Sequence, residues 1–466
     1  MAEQKVAGQI GFSSVILMIL TSCLGIRWIP VAGGIGTPAL LFWLLGIILL
    51  FIPLMIMIVE CSLNYSKDGG VYLWVKEGLG PKAGFLTSWF YWTNNIFYYP
   101  ALLTFMAANL AYLINHKSLA SNHYFVATVV IVSFWFIIGL NLLGVKNLAR
   151  IASFGGVLNL GLVSFIIVSG IAYVMINHTP ATPFELANLI PSGNAMDNIS
   201  NLALLMFALG GLELIPTLAQ SVKNPQRTLP ISLVISGFIL VAMYMLGTLC
   251  INFILTPNEL SSTTGAVDAL LTVSAKLHLD FLIKIIITAL VIVEFFGVSI
   301  WLIAPTIMFF KCSEPGSLPD WLQKLNRNYV PKNALILQGI IVTAMVILTQ
   351  FLPTVNAMYI TLALMTTIVY FLPYLFLSVA YLSLRKKGLL PKTIVNNTVA
   401  KLVAILGFLS VLFGIIISFV PGSDLKTTSD IIVYELELFG GPIIFVIMGF
   451  MIYARRDYVQ KKNAQV

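Results

Sequence analysis

The sequence predicts an all-α integral membrane protein of twelve transmembrane helices. Three observations carry that prediction. First, 59% of the 466 residues are hydrophobic and only 9% are charged, whereas a soluble domain carries about a quarter charged residues. Second, the apolar residues collect into runs of about 20, the length that crosses the hydrocarbon as a helix. Third, Lys and Arg segregate into alternate connections between those runs, as they do when cytoplasmic loops retain positive charge.

In chain order the runs lie at about 9–32, 35–60, 83–114, 123–143, 151–176, 197–219, 229–256, 281–310, 334–351, 356–384, 400–420 and 431–454. They are numbered here as spans 1 to 12. Most connections are short, and no large soluble domain is expected. With both termini in the cytoplasm, 21 of the 26 basic residues fall on the cytoplasmic side and four on the outer side. Arg27 is the one left, inside span 1. An odd number of spans would scramble this asymmetry. The first apolar run is too long for a cleavable signal peptide and lacks a small-residue cleavage site.

Net charge is +8, but retained cytoplasmic Lys and Arg account for it, so no nucleic-acid partner is called for. The four cysteines, Cys23, Cys61, Cys250 and Cys312, form no CxxC pattern, so neither a disulfide framework nor a metal site is expected. No HExxH, GxSxG or GxxxxGK[ST] signature is present, so the chain carries no sign of an enzyme or of ATP-driven pumping. No cofactor is called for. Transport energy would come from a solute or ion gradient.

Two spans are interrupted. Span 1 breaks at Thr21-Ser22-Cys23-Leu24-Gly25. Span 6 breaks at Ala208-Leu209-Gly210-Gly211, preceded by Phe207 and followed by Glu213. Lipid tolerates no loose backbone, so such breaks should line a cavity. Matching breaks five spans apart point to two halves of opposite topology with a solute site near the midplane. The halves are residues 1–180, spans 1 to 5, and 181–390, spans 6 to 10. Residues 391–466 hold spans 11 and 12 and a short tail.

Arg27, Glu213 and Glu294 are the ionisable groups that lie deep. Each costs about 2.5–3.5 kcal/mol or more at a helix centre unless paired or hydrated. Arg27 and Glu294 could neutralise each other across spans 1 and 8. Alternatively, Arg27 faces the solute path and favours a carboxylate-bearing side chain. Span 3 places Tyr91, Asn95 and Tyr99 on one helical face, with Asn94 and Tyr98 flanking it. That stripe suits either a wet cavity wall or packed helix contacts. The four histidines, His116, His123, His178 and His278, fall at outer ends or loops. Solvated loop residues are the plain reading, although histidine could sense external acid.

Four landmarks resemble the amino acid–polyamine–organocation transporters, and within them the bacterial glutamate/γ-aminobutyrate antiporter branch. They are Gly25-Ile26 followed by Pro30; Gly69-Gly70-Val71-Tyr72-Leu73-Trp74-Val75 with Gly80-Pro81; Gly211-Leu212-Glu213 with Val222-Lys223-Asn224-Pro225, Arg227 and Pro230; and Trp301 ahead of a basic loop. The resemblance covers essentially the whole chain. It implies a LeuT-like 5+5 inverted repeat with broken helices 1 and 6 and two extra C-terminal helices.

The resemblance also implies a solute site between spans 1, 3, 6 and 8. A substrate α-carboxylate would meet free amides around Cys23, Leu24 and Gly25. The α-ammonium would meet carbonyls near Thr21 and from Phe207 to Gly210. Phe207 would cap the solute, and Tyr91, Asn95 and Trp301 would face it. Ser22, Ala208, Leu209 and Gly211 complete the binding set, and Glu213 and Glu294 are the coupling or gating candidates. Cys23 stands where the family often has glycine. Asn159 stands where some proton-coupled members carry lysine, which leans toward exchange. The tail is too short for the pore plug of some relatives.

These readings converge on a secondary amino acid transporter of the cell (inner) membrane, an antiporter working by alternating access. Its partners would be an amino acid substrate, its exchange partner and the bilayer, and a homodimer is compatible with the sequence. The alternatives are a proton- or cation-coupled importer and a non-transporting sensor.

Overall fold

The computed structural model describes residues 10–65, 67–142, 148–190, 199–277, 280–311, 320–327, 330–420 and 428–463. His278 and Cys312 lie outside the described residues. Fifteen helices are labelled here. They are α1 (Phe12–Cys23), α2 (Trp28–Gly33), α3 (Pro38–Asn64), α4 (Val71–Leu79), α5 (Pro81–Leu113), α6 (His123–Leu142), α7 (Leu148–Asn177), α8 (Ile199–Ala208), α9 (Pro225–Ile254), α10 (Gly265–Leu277), α11 (Asp280–Lys311), α12 (Lys332–Leu348), α13 (Val355–Lys386), α14 (Asn397–Ile417) and α15 (Thr428–Asn463). A 3₁₀ stretch, Leu212–Ser221, follows α8.

Eleven stretches among the described residues are long and apolar enough to cross a membrane, and α1 is a shorter apolar helix beside them. Burial sorts them. The most apolar windows of α5 and α13 are 83% and 78% buried, and that of residues 201–221 is 89% buried. The corresponding windows of α7 and α15 are 33% and 22% buried. In a membrane protein the exposed apolar faces belong to lipid, so α5, α13 and the α8 region form the interior. Helix α5 packs against both α13 and α11, while α1 packs against α7 and α9.

Proline within a helix frees the carbonyl four residues back, and side chains meet two of these carbonyls. Pro53 frees Leu49, whose carbonyl accepts from the Ser410 hydroxyl at 2.8 Å. Pro305 frees Trp301, whose carbonyl accepts from the Tyr99 hydroxyl at 2.7 Å. Tyr99 therefore serves backbone satisfaction.

Both interruptions are present, with shifted edges. Helix α1 runs through Cys23, and its break covers residues 24–27. Thr21 and Ser22 remain in the helix, where their hydroxyls are satisfied by the Leu17 and Ile19 carbonyls at 2.8 and 2.9 Å. Helix α8 ends at Ala208, and Gly211 has a left-handed backbone with φ of 106°. A Cβ at Gly211 would lie 2.9 Å from the Cys23 sulfur, so glycine serves both conformation and close approach. The chain continues as a 3₁₀ helix containing Pro216, which has no N–H to donate. The loop before α4 packs onto this stretch, with the Gly69 amide donating to the Thr217 carbonyl at 3.2 Å.

The expectation that only Glu213 and Glu294 lie deep among the acids is corrected. Glu60 is also fully buried. It sits one turn from the end of α3, where a charge looks solvated in sequence, but the connector after α13 folds over it. Arg385, counted as a loop charge, is its partner at 2.6 Å.

Candidate functional site

The two breaks meet. Helix α2 packs against α8, and α1 packs against the 3₁₀ stretch. Between them is a cavity of about 10 Å³, room for about one water. Its wall is built from Ser22, Cys23 and Arg27 of the first break region, Phe207, Ala208 and Gly210 of the second, and Trp28, Tyr98, Trp301 and Tyr370. Anything larger than a water would require these groups to move apart.

Seven residues expected at the site share this wall: Ser22, Cys23, Arg27, Phe207, Ala208, Gly210 and Trp301. Thr21, Leu24, Gly25, Leu209 and Gly211 are buried next to it but do not line it. Tyr91 and Asn95 are fully buried and also stand off the wall. Tyr91 turns its hydroxyl to Glu213, and the Asn95 amide bonds back to the Tyr91 carbonyl at 2.8 Å. Tyr98, one of the flanking residues of that stripe, faces the cavity instead.

The wall is largely aromatic. The Phe207 ring meets Tyr370, Trp28 and Tyr98 edge to face, at centroid separations of 5.2, 5.5 and 5.9 Å. Trp301 lies 5.2 Å from Tyr98 and 6.0 Å from Tyr370. Such rings exclude water and present π faces to a cation.

Arg27 is the cation in that wall. One terminal nitrogen donates to the Glu294 carboxylate at 3.1 Å, and the other donates to the Tyr98 hydroxyl at 2.7 Å. The guanidinium also lies over the Trp28 ring at 4.8 Å. Arg27 thus pairs with Glu294 and also lines the cavity. Gly25 makes room for it, since a Cβ there would fall 2.7 Å from the guanidinium nitrogen.

The Leu24 and Gly25 amides are already partnered, which corrects that part of the expectation of free amides around Cys23, Leu24 and Gly25. The Leu24 amide donates to the Leu20 carbonyl at 2.9 Å. The Gly25 amide donates to the Tyr244 hydroxyl at 3.0 Å, and that hydroxyl donates to the Cys23 carbonyl at 2.6 Å. Trp301 donates its ring N–H to the Ser22 carbonyl at 3.2 Å. At the second break the Phe207 carbonyl accepts from the Gly210 amide at 2.9 Å, and the Gly211 amide donates to the Tyr374 hydroxyl at 3.1 Å.

Glu213 is fully buried. Three phenols surround its carboxyl: Tyr91, Tyr370 at 2.5 Å and Tyr374 at 2.6 Å. Among the described residues no basic side chain pairs with it. Phenol donors stabilise a carboxylate by hydrogen bonding, so a buried acid can persist here without a cation.

Trp28, Tyr244, Tyr370 and Tyr374 were not singled out by sequence. Tyr370 and Tyr374 do stand at i and i+4 on α13, a spacing that puts both hydroxyls on one face. Tyr244 had no local signal, because its partners are more than 200 positions away.

The chain is 27% identical over 449 residues to an uncharacterised transporter of Legionella pneumophila subsp. pneumophila, covering 95% of this chain and 96% of the relative. It is 25% identical over 425 residues to a glutamate/γ-aminobutyrate antiporter of Lactococcus lactis subsp. lactis, covering 89% and 84%. It is 24% identical over 457 residues to a probable agmatine/putrescine antiporter of the same organism, covering 96% and 95%. The sequence profile of the amino acid permease family matches residues 10–450, and the chain belongs to that family.

Proposed function

We propose that this permease is an amino acid antiporter working by alternating access, with substrates of the glutamate or γ-aminobutyrate type favoured. The carrying observation is the cavity between two helix breaks, with Arg27 in a wall that is half aromatic and otherwise small residues. As a member of its family, the chain is a multi-pass membrane transporter and not an enzyme. Relatives named as antiporters support exchange. Between their named substrates, a guanidinium in the wall suits a carboxylate better than a polyamine cation. A zwitterion would bind with its carboxylate toward the first break and its ammonium toward the carbonyls and rings around Phe207.

The same reading includes twelve spans in a 5+5 inverted arrangement. Residues 1–180 and 181–390 are the two repeats, with α14 and α15 as an appendix. Both termini lie in the cytoplasm, in the inner membrane of the cell. Helices α1, α2 and α8 and their neighbours rock against a scaffold of α5, α6, α11 and α12.

One observation favours a second reading, proton-coupled import. Glu213 is a buried acid held by three phenols, with no basic side chain paired to it among the described residues.

The deciding experiment uses purified protein in liposomes. Preloading with unlabelled amino acid should accelerate uptake of the labelled one, and a competition panel should rank acidic substrates first. Uptake that ignores preloading but follows an imposed pH gradient would replace exchange by proton coupling.

A further inference from the structure

Helix α13 carries four polar groups along one face. Tyr370, Tyr374, Tyr381 and Arg385 lie at i, i+4, i+11 and i+15, which a helix of 3.6 residues per turn brings within a narrow stripe. The first two hold Glu213 at the second break. The last two hold Glu60 at the end of α3. The Tyr381 hydroxyl donates to Glu60 at 2.8 Å, and the Arg385 guanidinium donates at 2.6, 2.8 and 3.0 Å. Two buried carboxylates on different elements are therefore held by one helix, about 16 Å apart along its axis from Tyr374 to Arg385.

The Glu60 end is also strapped. The connector between α13 and α14 lays its Ile394 and Val395 amides on Glu60 at 2.8 and 3.1 Å. Arg385 donates to the Val395 carbonyl at 2.7 Å and to the Asn397 side chain at 2.9 Å. One turn further along α3, the Asn64 amide donates to the Lys392 carbonyl at 2.8 Å and accepts from the Lys392 amide at 3.0 Å. Irregular backbone is here anchored by side chains, so it can be released without unravelling a helix. Helix α3 cannot tilt away from α13 at this end while those bonds stand.

We propose that Glu60, Arg385 and the 387–396 connector form a releasable clasp. On this proposal, the stripe on α13 links the clasp to the Glu213 network in the membrane interior. The inference rests on the transport reading above, which places this end on the cytoplasmic side. The clasp is closed while that side is shut and parts when it opens. Glu60 is then a lock on the same helix that holds Glu213.

The test pairs Asn64→Cys with Lys392→Cys and bridges them with a short bifunctional thiol reagent in proteoliposomes. The parent chain, treated alike, is the control, and uptake is measured for whichever labelled amino acid the parent accumulates. Cross-linking should cut uptake at least tenfold while equilibrium binding of that amino acid stays within twofold, and cleaving the bridge should restore uptake. Undiminished uptake in the bridged protein overturns the clasp, and so does loss of binding along with uptake. Should the double variant not fold, a chain keeping Cys61, buried beside Glu60 and Arg385, as its only cysteine is labelled with a water-soluble maleimide. Added substrate should speed labelling severalfold, and a rate indifferent to substrate overturns the proposal. A parent without exchange would sink antiport and leave these outcomes readable.

Discussion

The Glu213 carboxylate and the Tyr374 hydroxyl stand 2.6 Å apart and join the second helix break to α13. The same hydroxyl accepts from the Gly211 amide, so one phenol serves both the carboxylate and the unwound backbone. Glu213→Gln keeps the shape but exchanges a charge-assisted acceptor for a neutral amide whose NH₂ must face a phenol. Transport should fall at least tenfold, with folded protein still recovered from the membrane. Uptake at the parent rate in purified liposomes would remove Glu213 from the mechanism.

Arg27 and Glu294 make a separate prediction. Removing one partner of a buried ion pair leaves an uncompensated charge and costs about 3–5 kcal/mol. Arg27→Ala should therefore lower the unfolding temperature, and Glu294→Gln in the same chain should restore much of the loss. On transport, Arg27→Ala should weaken acidic substrates more than neutral ones in competition assays. Equal weakening of both would leave Arg27 with the ion pair alone.

Much of this site was legible because lipid makes certain residues conspicuous. A glycine pair beside a carboxylate in an apolar run could be plain helix packing, and it was the matching break in span 1 and the motif from Lys223 to Pro230 that made Phe207 to Glu213 stand out. The same logic found Arg27 and Glu294. It failed at Glu60, because a carboxylate near a span end looks solvated until the connector that covers it is known. It placed the first break at Thr21 to Gly25, whereas the helix runs through Cys23 and the Thr21 and Ser22 hydroxyls bond back into it. The partners Tyr244, Tyr370 and Tyr374 were invisible for a different reason. A tyrosine in an apolar run reads as packing, and its role is set by where its hydroxyl lands in three dimensions.

Gly211→Ala tests the second break directly. A residue other than glycine at φ of 106° is strained by about 1–3 kcal/mol. The added methyl would also press on the Cys23 sulfur at 2.9 Å. The variant should lose both thermal stability and transport. The double variant Gly211→Ala with Cys23→Ala should recover part of the stability by relieving the contact, though not the backbone strain. Equal melting temperatures for Gly211→Ala and the parent would mean the break does not need the left-handed conformation.

Tyr244→Phe addresses the first break, where the phenol bridges the Cys23 carbonyl and the Gly25 amide. Phenylalanine keeps the stacking on Trp43, whose ring lies 4.8 Å away and nearly parallel, so packing is preserved. What is lost is one donor and one acceptor, leaving a buried amide and a buried carbonyl without their partner. Each such orphan costs about 1–3 kcal/mol. If the break only holds the two half-helices apart, the loss appears as a lower melting temperature at unchanged affinity. If the break also binds the solute, the freed amide becomes available to a substrate carboxylate, and bound substrate should rescue stability by more than it does in the parent. Melting temperatures with and without saturating substrate, in both chains, separate the two. A larger substrate-induced rise in Tyr244→Phe is the expected result, because a buried N–H without an acceptor gains most from the arrival of one.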